Sequence, residues 1–220
     1  MTQAKLFLFD LDGTLIDTAP TLVRAVNRVL EEEHHSPLPF EVLRPYASQG
    51  APGLFGRALG ITKTHPDFSR LREAFFAHYA SDIATGTTLF PGIEALLAAL
   101  QKASIQLGVV TNKTESLTRR LLDKLALTDT FRVILGSDSV HCAMKPNPDS
   151  LLEALRLTDL PPELVRYAGD DARDILAAQR AHIPVAAITW GYAKDDPALW
   201  HADYLAHHPM DLYRWVLDAL

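Results

Sequence analysis

A chain of 220 residues, 48% apolar and 22% charged, can bury a sizeable core as one domain or as one domain with a small insert. Its formal charge of −6, with no block of lysines or arginines, argues against nucleic acid or an anionic membrane as the main partner. Cys142 is the only cysteine, which leaves no intramolecular disulfide and no thiolate cluster for zinc, and no apolar run approaches the roughly 20 residues of a membrane span. Acids come too early in the chain for a signal peptide, so the expectation is a cytoplasmic protein with Cys142 as a passive loop thiol, a monomer or weak homodimer.

Residues 6–9, Leu-Phe-Leu-Phe, form a short continuous apolar run suited to a strand buried on both faces of a parallel sheet. The run stops at Asp10-Leu11-Asp12-Gly13-Thr14, where two carboxylates leave the strand just before a glycine able to take a tight turn. Ligands of open α/β sheets bind outside the carboxyl ends of the strands. One acid can attack there while the other handles protons, provided a cation tempers their repulsion. Thr18 then stands as a helix N-cap with Pro20 in the first turn, and Leu22, Val23, Val26, Val29 and Leu30 recur with helical spacing. His34 and His35 have no third ligand nearby and read as surface histidines. Residues 41–60 are expected as one or two short helices broken by Pro45 and by the stretch 48–53, and 66–83 as an amphipathic helix that buries Phe68, Leu71, Phe75, Phe76 and Tyr79. No strand is legible between Asp17 and Gly86.

The strand–helix alternation resumes at Leu89-Phe90-Pro91-Gly92, with a helix through Ile93, Leu96, Leu97 and Leu100. Strands are predicted over 105–110, 132–135, 165–168 and 184–188. Helices are predicted over 115–125, through Leu151, Leu152 and Leu155, over 175–181 and over 211–217. This alternation implies an α/β fold, a doubly wound, Rossmann-like parallel sheet. Its core comprises 1–16 and 87–220, and 17–86 form an inserted all-helical domain. Three strand ends carry polar groups that meet at one edge of such a sheet: Asp10 and Asp12, then Thr111 and Asn112, then Asp170, Asp171 and Asp174, with Lys145 in the loop 137–148.

Asp10-Leu11-Asp12-Gly13-Thr14 resembles the Asp-X-Asp-Gly-Thr/Val signature of the haloacid dehalogenase-like superfamily. Thr111, Lys145-Pro146 and Gly169-Asp170-Asp171-Ala172-Arg173-Asp174 resemble its remaining motifs: a Thr/Ser after the second strand, a Lys before Pro, and Gly-Asp-X-X-X-Asp. The resemblance implies that Asp10 becomes phosphorylated and that Asp12 is a general acid/base. The dehalogenase branch lacks the second acid, so Asp12 points to phosphoryl transfer.

A phosphate monoester is a dianion, and Mg²⁺ can neutralise it while bound by only one or two carboxylates. Asp10 and Asp170 are the candidate ligands, and the resemblance adds the backbone carbonyl of Asp12. The Thr111 hydroxyl and the Asn112 backbone N–H can bond phosphoryl oxygens, and Lys145 supplies a compact positive charge. Asp174 is an outer-shell group beside the metal or holds Lys145, and Asp171 does the same or caps a helix. The implied reaction has two in-line steps. Asp10 attacks phosphorus while Asp12 protonates the leaving alkoxide, and Asp12 then deprotonates the water that hydrolyses the aspartyl-phosphate.

The insert is similar to the family's helical cap, hinged near 17–19 and 85–88, which closes over the site and reads the leaving group. Ser48, Gln49, Gly50 and Arg57 are its candidate substrate contacts, against the alternative that Arg44 and Arg57 are solvated. Over its whole length the chain resembles bacterial phosphoglycolate phosphatases. The helix at 67–79 and the tail Gly191-Tyr192…Asp196-Pro197…Trp200…Ala202-Asp203 resemble a branch acting on N-acetylmuramic acid 6-phosphate. A small-molecule phosphate ester is therefore the expected partner, with 2-phosphoglycolate first and N-acetylmuramic acid 6-phosphate as the alternative. A phosphomutase of the same superfamily, a receiver-type signalling domain and a catalytically dead binding protein are weaker readings. The receiver would carry its phosphorylated Asp after a later strand, and the dead protein would have lost Asp10 or Asp12.

Overall fold

The computed structural model describes residues 4–139 and 143–218, so the expectation for Cys142 lies outside the described residues. Strand β1 (Leu6–Phe9) is buried at every position. Phe7 and Phe9 join the apolar cluster on one face of the sheet, and Leu6 and Leu8 join the cluster on the other. A strand covered on both faces needs this unbroken apolar run where a half-exposed strand alternates. Beyond β1 the chain turns at Gly13, whose φ is +94°, into β2 (Ile16–Asp17). Helices α1 (Ala19–Glu32), α2 (Phe40–Leu43), α3 (Gly50–Leu59) and α4 (Phe68–Ser81) follow, with a 3₁₀ stretch Arg44–Gln49 between α2 and α3. β3 (Thr88–Leu89) pairs antiparallel with β2, so the helical block leaves and re-enters the chain at one point.

The remaining elements alternate: α5 (Ile93–Lys102), β4 (Gln106–Val110), α6 (Glu115–Lys124), β5 (Val133–Leu135), α7 (Asp149–Thr158), β6 (Val165–Gly169), α8 (Ala172–Arg180), β7 (Val185–Ile188), β8 (Tyr204–Ala206) and α9 (Pro209–Asp218). Six strands form one sheet in the order β5-β4-β1-β6-β7-β8, and every pairing is parallel. The chain winds one way from β1 through β4 and β5 and the other way through β6, β7 and β8. The crevice at this switch point opens at the carboxyl end of β1. Phe9 is in register with Val109 and with Ala168, which brings the ends of β1, β4 and β6 to one level. No helix among the described residues is long and apolar enough to cross a membrane.

Several expectations change. α3 runs through Pro52 and Gly53, because Pro52 falls in the first turn, where a missing N–H breaks no intrahelical bond. The break comes earlier, in the 3₁₀ stretch that contains Pro45. Thr88–Leu89 pairs with β2 and stays outside the main sheet. β8 is an unexpected sixth strand, too short for a period to be legible. The helix around Phe75 is shorter than expected, and Phe76 is only partly buried.

Thr18 occupies the N-cap position of α1, but its side chain makes no capping bond and its Oγ1 has no partner among the described residues. The phenol of Tyr192 replaces it. Its oxygen accepts from the N–H groups of Thr18 (2.7 Å) and Ala19 (3.0 Å), and its proton goes to Asp17 Oδ1 (2.7 Å). Tyr192→Phe leaves these helix-start donors without that acceptor, and urea unfolding is expected to show a loss of about 2 kcal/mol. An unchanged midpoint would mean that the phenol is not the cap.

Candidate active site

Asp10 leaves β1 with its N–H bonded to Ala168 O at 2.9 Å. Its Oδ1 accepts from Lys145 Nζ at 2.8 Å. Lys145 is 5% exposed, and its ammonium also meets Val110 O (3.0 Å), the Tyr167 hydroxyl (2.7 Å) and Asp174 Oδ1 (2.5 Å). Burial opposes the Lys145 charge, but Asp10 and Asp174 outweigh it and hold the ammonium above its ordinary range. The peptide before Pro146 is cis, and the Asn112 side chain clamps the Lys145 backbone. Its Oδ1 accepts from Lys145 N (2.8 Å), and its Nδ2 donates to Lys145 O (3.1 Å). Asn112 is thus seen holding Lys145, beyond the backbone donor expected of it. Tyr167 was not legible as part of the site: inside an apolar strand it reads as core, yet its hydroxyl joins Lys145 to Asp174.

Asp170 follows β6. Its Oδ1 accepts from the Thr14 hydroxyl (3.2 Å), and its Oδ2 from the Ser48 hydroxyl (2.9 Å) and the Tyr192 N–H (3.0 Å). Glycines make room for it: a Cβ on Gly13 would stand 2.2 Å from Asp170 Oδ2, and one on Gly191 2.3 Å from Asp170 Cβ. Asp171 and Asp174 form a capping box at the start of α8. Asp174 Oδ2 accepts from the Asp171 N–H (3.1 Å), while Oδ1 faces Lys145 and Tyr167. Of the alternatives open for Asp174, holding Lys145 is the one seen. Asp171 caps α8 and pairs with Arg173 at 2.8 Å.

Asp10, Asp170 and Asp174 bring one carboxylate oxygen each within 4.8 Å of the others, all buried. Burial pushes the Asp10 carboxyl up against the pull of Lys145, and burial together with repulsion from Asp10 and Asp174 pushes Asp170 up. The ammonium of Lys145 alone does not balance these acids. A hard, oxygen-seeking divalent cation fits this donor set. Both oxygens of Asp174 and both of Asp170 accept from protein donors, and Asp10 accepts from Lys145 through Oδ1, so all three acids enter the donor set with part of their lone pairs already engaged.

Asp12 was expected, but its partner was not. Lys113 Nζ donates to both Asp12 oxygens, at 2.7 and 3.1 Å, and lies 4.5 Å above the ring of Tyr79 on α4. A lysine after a strand ordinarily reads as solvated, whereas the Lys113 side chain is 7% exposed. A cavity of about 880 Å³ is lined by Asp10, Asp12, Thr111, Asn112, Lys113, Lys145, Asp171 and Asp174, and from the helical block by Ser48, Gln49 and Gly50. Arg57 is exposed and is not among the lining residues. Arg44, expected in solvent, lies 5.0 Å over the Tyr192 ring. Lys113→Met strands Asp12 in a mostly buried place, and chemical denaturation is expected to show a loss of about 2–3 kcal/mol, smaller in the double variant with Asp12→Asn. If both variants lose the same amount, the pair is not what stabilises this corner.

The sequence pattern of the family described as haloacid dehalogenase-like hydrolase matches residues 7–188. The chain is 37% identical over 219 residues to a phosphoglycolate phosphatase of Xanthomonas campestris pv. campestris, covering 97% of this chain and 96% of the relative. It is 35% identical over 213 residues to an N-acetylmuramic acid 6-phosphate phosphatase of Pseudomonas aeruginosa, covering 96% of this chain and 93% of that protein. The crystal structure of a predicted phosphoglycolate phosphatase from Haemophilus somnus matches with a TM-score of 0.87 at 27% identity, covering 98% of this chain and 99% of that one.

Proposed function

We propose that this chain, which belongs to the haloacid dehalogenase-like hydrolases and is a phosphatase of that family, hydrolyses a small phosphate ester through an aspartyl-phosphate on Asp10. The observation that carries the reading is the contact of Lys145 with Asp10 at 2.8 Å inside a buried acid cluster, with Asp12 on the same cavity. An Asp10 oxygen forms a bond to phosphorus as the bond from phosphorus to the ester oxygen breaks, and Asp12 gives that oxygen a proton. Asp12 then takes a proton from water, whose oxygen displaces Asp10 from phosphorus. Lys145 and the Thr111 hydroxyl hold the phosphoryl oxygens, and Tyr167, Asp174 and Asn112 keep Lys145 in place. Asp10, Asp170 and the backbone carbonyl of Asp12 would hold Mg²⁺, which neutralises the dianion's charge when bound.

Residues 17–86 serve in this reading as a cap, and Ser48, Gln49 and Gly50 bring it to the cavity. Similarity supports 2-phosphoglycolate and N-acetylmuramic acid 6-phosphate alike as substrate readings. One observation favours N-acetylmuramic acid 6-phosphate: the cavity of about 880 Å³, lined in part by Phe68, Phe75, Phe76 and Tyr79, is far roomier than glycolate needs.

Asp10→Asn is expected to lower phosphate release at least about a thousandfold while thermal unfolding stays cooperative, and near-wild-type release would remove Asp10 from its role. Chelation should stop release by the unmodified protein, and added Mg²⁺ should restore it. A hundredfold difference in kcat/KM between the two esters, roughly 2.7 kcal/mol of transition-state binding, would assign the leaving group. Comparable slow rates on both would point to a third ester.

A further inference from the structure

Lys113 and Tyr79 link the helical block to the acid that handles protons. Lys113 sits in the loop after β4, where both oxygens of Asp12 accept from its ammonium. Tyr79 belongs to α4, which lies in the chain between β2 and β3, and its ring carries that same ammonium at 4.5 Å. All three line the one cavity. Tyr79 is 1% exposed, and its hydroxyl has no hydrogen-bond partner among the described residues. The Lys113 ammonium is the charged group that the ring and the hydroxyl of Tyr79 both face.

We propose that Lys113 is a positioning residue for Asp12 and that Tyr79, by seating Lys113, makes the position of Asp12 depend on the helical block lying against the core. The inference rests on the phosphatase reading above. Two N–H···O contacts fix the plane of the Asp12 carboxyl, and each oxygen keeps a second lone-pair site for the proton delivered to the ester oxygen. When α4 withdraws, Lys113 loses the ring and Asp12 loses its fixed plane. Proton delivery is thereby confined to the state in which α4 covers the cavity. Esters with strongly basic leaving alkoxides depend on this positioning most, because they need the proton most.

The test compares leaving groups. kcat/KM reports the steps up to formation of the aspartyl-phosphate, so water attack does not enter it. p-Nitrophenyl phosphate expels a weakly basic phenolate that needs little help from an acid, whereas 2-phosphoglycolate and N-acetylmuramic acid 6-phosphate expel alkoxides. In Lys113→Met, kcat/KM for the faster of the two alkyl esters is expected to fall about tenfold further than kcat/KM for p-nitrophenyl phosphate. Tyr79→Leu should move the ratio in the same direction, and the double variant should fall no further than Lys113→Met, because both side chains act through one carboxyl. Tyr79→Phe, which keeps the ring, should hold the wild-type ratio. Equal losses on both ester types, or losses that add in the double variant, overturn the proposal and leave the phosphatase reading standing. A wild-type protein that releases no phosphate from any of these esters with Mg²⁺ present overturns both. Should Lys113→Met fail to fold, the ratio in Tyr79→Leu decides.

Discussion

Carboxylates taken out of water are costly unless charge and hydrogen bonds meet them. Asp10, Asp170 and Asp174 are all buried, and the Lys145 ammonium touches two of them. Much of the local structure serves that shortage of positive charge. Tyr167 and Val110 O fix the ammonium, the Asn112 amide fixes its backbone, and Thr14, Ser48 and the Tyr192 N–H donate to Asp170. Removing a donor from such a cluster leaves all of its acids less compensated, because they share one ammonium and a few neutral donors. The same deficit of positive charge is what gives a divalent cation a reason to bind.

The parallel sheet turns this local requirement into a global one. Polar groups from β1, β4 and β6 meet only because Phe9, Val109 and Ala168 are in register. A slip of one residue would exchange the two faces of β1 and send Phe7 and Phe9 into the layer built for Leu6 and Leu8. Core packing therefore sets the level at which Asp10, Thr111 and Asp170 emerge, and the chemistry inherits its precision from aliphatic and aromatic side chains that never touch a substrate.

The sheet, the acid positions and Lys145 were legible because each leaves a local mark: an apolar run, an acid at the strand end, a lysine before proline. Asp174 was legible as an acid that either lies beside the metal or holds Lys145, but its contact with Lys145 depends on how the loop after β5 folds back. Lys113 and Tyr167 left no mark at all. One resembles a solvated loop lysine and the other a core aromatic, and only the fold reveals that each is buried against a charged partner. Thr18 misled for the opposite reason. Its residue type suits a cap, yet a phenol 174 positions away in the chain does the work. Arg57 lies on the outer side of α3, a facing that the short, proline-interrupted stretch before it kept from being legible.

Tyr192 ties two length scales together. Its backbone N–H holds Asp170, and its hydroxyl holds the first residues of α1. The near end of α1 is therefore pinned to the acid cluster and acts as a fulcrum. A helix of 14 residues is about 21 Å long, so a tilt of roughly 10° at that fulcrum sweeps its far end through about 4 Å. α4 packs along α1, so such a tilt carries Tyr79 with it. A single phenol therefore joins the carboxylate cluster to the end of α1 that puts Leu22 on the cavity wall.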